Sequence, residues 1–178
     1  MSSNPISNVS TLGAQTVEAE QRTLAGETRE RVAGPTDFAG GTFDVSGLES
    51  FDRIEVIFRA EGDDNPSEIH LQINNDTSSS YEYREFDGGS LQTTTGDTKI
   101  RVADVGDFHQ VSGRLILYDA FSVRESPAVT AEIGSLVSLR TLESGYRQTF
   151  DETSSLQLIN TNGNAAEATA TVWGITDF

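Results

Sequence analysis

The chain has 178 residues, no cysteine, and 28 acidic against 12 basic side chains, for a formal charge of −16. That charge repels the phosphates of nucleic acids and anionic membrane surfaces, so neither nucleic acid nor membrane is expected as a partner. Without cysteine there is no disulfide staple, thiolate ligand or thiol nucleophile, and the fold must rest on an apolar core.

Residues 1–36 are rich in Ser, Thr, Gln, Glu and Ala, with apolar side chains placed singly at Ile6, Val9, Leu12, Val17, Leu24 and Val32. So little apolar surface cannot offset the entropy of ordering, about 1–2 kcal/mol per residue for the backbone alone. The composition predicts an N-terminal assembly arm over 1–36, ordered by neighbouring chains through Ile6, Val9, Leu12 and Val17. Residues 15–31 have fair helix propensity, and a short helix there would end near Gly34-Pro35, the joint between the arm and the rest of the chain. Met1-Ser2-Ser3-Asn4-Pro5 has neither the charged nor the apolar region of a signal peptide, which predicts a route other than ordinary secretion.

From Thr36 onward the pattern changes to short runs of period two. In residues 53–60, Ile54, Val56, Phe58 and Ala60 share one face while Arg53, Glu55 and Arg59 take the other, the pattern of a half-buried strand. Residues 68–74 turn Ile69, Leu71 and Ile73 inward. The intervening Glu61-Gly62-Asp63-Asp64-Asn65-Pro66 is turn chemistry, so these two runs are expected to form a hairpin with a longer loop. Further strands are expected over 42–45, 81–86, 98–102, 114–118, 128–133, 135–142, 156–160 and 168–175. Eight to ten short strands with no helix between them predict an all-β fold over 37–178: an antiparallel β-sandwich, jelly-roll-like, preceded by the polar arm.

Lys99 is the only lysine, so the other 11 basic residues are arginines, and the acidic side chains are scattered along the whole length. This is the surface expected of a protein from an extreme halophile, where molar salt shortens the Debye length to about 3 Å and screens the self-repulsion. An ordinary acidic protein is the alternative.

Three stretches resemble a known family. Ile73-Asn74-Asn75-Asp76-Thr77-Ser78-Ser79-Ser80-Tyr81-Glu82-Tyr83 looks like the strand, polar turn and aromatic strand of jelly-roll virion proteins of tailed viruses. Val111-Ser112-Gly113-Arg114-Leu115-Ile116-Leu117-Tyr118 fits the same domain. Leu156-Gln157-Leu158-Ile159-Asn160, Gly163-Asn164 and Ala170-Thr171-Val172-Trp173-Gly174-Ile175 look like its closing hairpin. The resemblance spans most of 42–176. It implies a non-enzymatic virion structural protein on the outer surface of the particle, a capsid turret or decoration or a tail-appendage subunit, in contact with other virion proteins. The acidic composition adds a virus of halophilic archaea. Together with the uncharged run over 168–175, which would be an exposed edge in a monomer, it also implies a homo-oligomer, trimer or pentamer. The alternative reading is a glycan-binding module that recognises host surface sugars.

The candidate chemistry is sparse. His70 falls on the outward parity of its strand and His109 in a loop, neither has an i,i+4 partner, and no Ser stands in a nucleophile elbow, so the expectation is that the chain is not an enzyme. No cofactor is expected. Asp63, Asp64 and Asn65, or Asn74, Asn75 and Asp76, offer oxygen ligands for Ca²⁺ or Mg²⁺, but neither run has the spacing of a calcium loop and a solvated turn is preferred. Tyr81 and Tyr83 share a parity beside Ser78, Ser79 and Ser80, a candidate aromatic face for glycan or host contact against the alternative of cross-strand packing. Trp173 reads as a core or subunit-contact residue.

Overall fold

The computed structural model describes residues 22–24, 26–62, 67–87, 89–106, 110–118, 128–135, 141–147, 151–161 and 165–177. They form thirteen strands and no helix. The fold is an all-β antiparallel sandwich of jelly-roll type. One layer runs in the order β1 (Arg22–Leu24), β2 (Glu27–Asp37), β13 (Ala165–Asp177), β4 (Arg53–Gly62), β9 (Gln110–Tyr118), β10 (Ala128–Ser135) and β11 (Thr141–Arg147). The hairpin of β6 (Tyr81–Asp87) and β7 (Ser90–Asp97) extends it from the other side of β11. The second layer is β8 (Ile100–Val105), β5 (Ser67–Ile73), β12 (Ser155–Asn160) and β3 (Thr42–Ser46). The corner is β11 itself: residues 144–146 pair with β10, while Thr141 pairs with Ala103 of β8.

Alternation builds the core as expected. Ile54, Val56, Phe58 and Ala60 of the larger layer face Ile69, Leu71 and Ile73 of the smaller one within a single apolar cluster, each of them fully or almost fully buried. Gly145 makes room on that inner face. A Cβ there would stand 3.1 Å from Ile100 Cδ1 and from Tyr83 Cβ.

Several connections differ from the expectation. β4 and β5 are not a hairpin: β4 lies between β13 and β9, and β5 between β12 and β8, in opposite layers. Periodicity says which face of a strand is buried and is silent on its neighbour. For the same reason β12 and β13 do not close as a hairpin; β12 pairs with β3 and β5, and β13 with β2 and β4. β13 is therefore an interior strand, and the uncharged run over 168–175 leaves no exposed edge.

The N-terminal boundary also moves. Residues 27–36, expected in the arm, belong to β2 and pair with β13 from Glu27↔Asp177 to Asp37↔Thr169. The helix expected over 15–31 is replaced from Arg22 onward by the ladder of β1 on β2. Gly34-Pro35 is no joint but a bulge inside β2, opposite Thr171 between the pairs Ala33↔Val172 and Thr36↔Ala170. Gly34 has φ +93°, and a Cβ there would run into the backbone oxygen of Ala170, so only glycine fits. Residues 1–21, with Ile6, Val9, Leu12 and Val17, lie outside the described residues.

Candidate functional site

The outer face of the larger layer gathers the side chains that the core does not absorb. Its strands present one side chain in two outward, and the register aligns these into rows across the sheet. One row runs Arg31–Trp173–Glu55–Ile116–Thr130–Ser144–Arg84–Thr93, and the next runs Arg29–Ile175–Arg53 and on through Tyr118–Ala128–Tyr146–Glu82–Thr95.

At the β2–β13–β4–β9 end the face is knitted by charge. Glu55, expected on a solvated face, is only 2% exposed, because Arg29 of β2 and Arg114 of β9 both bond its carboxylate. The Arg29 guanidinium also lies 4.4 Å from the centroid of the Trp173 ring, a cation–π contact. Trp173 is thus not a core residue; it is half-buried on the outer face, a platform under Arg29. Arg53 bonds Glu27 at 2.6 Å and Asp177 at 2.7 Å, and these partners raise its pKa. Arg114 is likewise raised, by Glu55 first.

At the β10–β11–β6–β7 end the face is open. Tyr118 and Tyr146 stand on either side of the small Ala128 in one row, two strand spacings or about 10 Å apart. Both are exposed, Tyr146 by 39%. Beside Tyr146 runs a groove of about 590 Å³ lined by Glu82, Arg84, Thr93, Thr130 and Ser144. The Tyr146 hydroxyl bonds the Glu82 carboxylate, and both residues line the groove. An apolar ring with hydroxyl, carboxylate and guanidinium groups around it can stack on a pyranose and bond its hydroxyls.

The aromatic pair chosen from the sequence is elsewhere. Tyr81 and Tyr83 point inward and are almost fully buried, so they offer no platform to a glycan. The Tyr81 hydroxyl accepts from the Ile73 backbone N–H at 2.9 Å and donates to the Ile73 carbonyl at 3.0 Å, and burial pushes its pKa up. Tyr83 donates to Asp97 at 3.1 Å; burial foremost pushes it up to about 12. The reading as packing residues holds for both.

Asp76 is engaged by its own turn. Its carboxylate accepts from the Ser78 N–H at 2.9 Å, the Ser78 hydroxyl at 2.6 Å and the Ser80 hydroxyl at 2.7 Å, with Arg147 Nε at 4.0 Å. Burial works to raise its pKa, but those hydrogen bonds and Arg147 outweigh it and hold the carboxyl below its usual value. Asn74 and Asn75 are left-handed, and the Asn74 side chain bonds the backbone at Glu152, Ser154 and Ser155. The polar run after β5 is a lock between two loops. Asp63, Asp64 and His109 lie outside the described residues, and no three His, Asp or Glu among the described residues converge on a metal position.

His70 keeps its expected parity but is only 4% exposed, not a surface residue. Its Nε2 is 3.4 Å from Glu68, whose other oxygen meets Arg101 at 3.2 Å. Burial first, then the positive charges of Lys99 and Arg101, lower its pKa to about 4, so the imidazole is neutral at pH 7.

Tyr146 and Tyr118 escaped sequence reasoning. Tyr118 ends an unbroken apolar run, Leu115-Ile116-Leu117, in which parity is not visible, and Tyr146 lies beyond the strand expected over 135–142.

No family model matches the chain, and no curated protein matches it in sequence. Solved structures similar in chain trace include a functionally unknown protein from Saccharomyces cerevisiae, 11% identical, with a TM-score of 0.34 over 89% of this chain and 92% of that one. A mutant of alginate lyase Aly36B in complex with alginate trisaccharide is 8% identical, TM-score 0.37, over 91% and 88%. A tetrameric galectin from the ball sponge Cinachyrella is 9% identical, TM-score 0.31, over 77% and 99%.

Proposed function

We propose that this chain is a non-enzymatic structural protein of a virus particle, an outward-facing capsid turret or decoration or a tail-appendage subunit, anchored by the segment that precedes β1. The resemblance read from the sequence is the starting point, and the attachment of β2 supports it. The chain leaving the anchor passes through the short β1 and turns into β2, which pairs with β13 along almost its whole length. Tension on such an anchor is resisted in shear by many hydrogen bonds at once. Deleting residues 2–21 is expected to leave the sandwich folded, with an unchanged melting temperature, and to abolish incorporation into particles; normal copy number would overturn the proposal.

The particle belongs, in this reading, to a virus of halophilic archaea, and rings of three or five copies are set by the axis on which it sits. Melting followed by circular dichroism should rise steeply between about 0.1 M and 3 M salt, as the Debye length falls from about 10 Å to below 3 Å. A flat response would remove the halophile from the proposal.

A second reading, recognition of host surface glycans, is favoured by the exposed Tyr118–Ala128–Tyr146 row and its groove. On a glycan array, Tyr146→Ala is expected to lose whatever signal the native chain gives. An array with no signal would leave the structural role alone.

A further inference from the structure

Among the described residues three strands have an open edge: β1, β3 and β7. β1 has three residues, one of them Arg22, and β3 has Asp44 at its centre. β7 differs from both. It has eight residues, pairs among the described residues with β6 alone, and has no charged side chain from Ser90 through Gly96, with Thr93, Thr94 and Thr95 favouring extended backbone. Beside it Leu91 and Phe86 form a cross-strand pair on the outer face, 40% and 47% exposed.

In a chain of charge −16, the approach of two copies is least opposed where carboxylates are absent. An unpaired row of backbone N–H and C=O groups is a template for another strand, and a strand pairing antiparallel with its own copy is self-complementary about a two-fold axis. We propose that β7 is a dimerisation edge: it pairs antiparallel with β7 of a second copy of this chain, joining the two larger layers into one continuous sheet and flanking Leu91 with the partner strand. The uncharged edge selects the partner, because β7 is the one long edge among the described residues that meets its own copy without opposing charges. This contact is separate from any ring formed on the particle and needs neither the anchor nor a glycan.

The test uses the full chain in sedimentation equilibrium at about 0.1 mM. With the uncharged stretches from Ser90 through Gly96 centred on one another and Thr93 on the two-fold axis, residue 91 of one copy faces residue 95 of the other, so Leu91→Lys with Thr95→Lys sets like charges opposite. That variant, and the matching Leu91→Glu with Thr95→Glu, should each dissociate at least about tenfold more readily than the native dimer. Both should keep the native melting temperature at low concentration, and mixing them should restore a one-to-one dimer, which loss of folding cannot do. A native chain that stays monomeric in both dilute and molar salt overturns the proposal, as do variants that dimerise as well as the native chain.

Discussion

The two ends of the outer face of the larger layer are built in one sheet with the same period of two, yet they do opposite things. Around β4 the face is closed: Glu55 is held by Arg29 and Arg114, and Arg29 covers Trp173. Around β6 and β7 it is open: Tyr146, Phe86 and Leu91 stand exposed, and the last strand has no neighbour beyond it among the described residues. A polar residue on an outward parity is therefore not by itself a surface residue. What decides is whether nearby strands bring opposite charges within reach from the adjoining rows, as Arg29 of β2 and Arg114 of β9 do for Glu55.

The contrast is broken most directly by removing the cations. Arg29→Met with Arg114→Met leaves the Glu55 carboxylate buried and unpaired, and should cost about 3–5 kcal/mol of stability in urea unfolding at pH 7. A cost below about 1 kcal/mol would mean that Glu55 is solvated and that this end is as open as the other.

The His70 cluster in the smaller layer tests the same principle with a titration. Unfolded histidine protonates near pH 6.5, whereas His70 in the fold protonates only near pH 4. The unfolded chain thus binds more protons in between, and stability is lost as pH falls through that window, by about 3 kcal/mol at its lower end. His70→Gln should remove this part of the pH dependence, seen as a smaller drop in melting temperature between pH 7 and 4.5 than in the native chain. Equal drops would place His70 in water.

The smallest effect is expected at the open end. Tyr146→Ala removes an exposed ring that the core does not use, and stability should change by no more than about 0.5 kcal/mol. A loss of 2 kcal/mol or more would make the Tyr146–Glu82 contact part of the scaffold and remove the groove as a contact site.

The class of fold and the composition of the core were legible in the residue pattern without any structure. Alternation in 53–60 and 68–74 named Ile54, Val56, Phe58, Ala60, Ile69, Leu71 and Ile73 as inward, because a strand with one apolar face has only one way to bury it. The pattern missed β7, where Thr93-Thr94-Thr95 shows no alternation because an edge strand exposed on both faces has nothing to bury. It placed β2 in the arm, since Glu30, Arg31 and Val32 look solvated until their partners on β13 are known. The burial of Glu55, His70, Tyr81 and Tyr83, and the exposure of Tyr118 and Tyr146, were settled by the assembled sheets. Burial on the second face of a strand depends on which strand lies beside it and what crosses over it, and those neighbours are set by pairings between residues as far apart as Arg29 and Ile175.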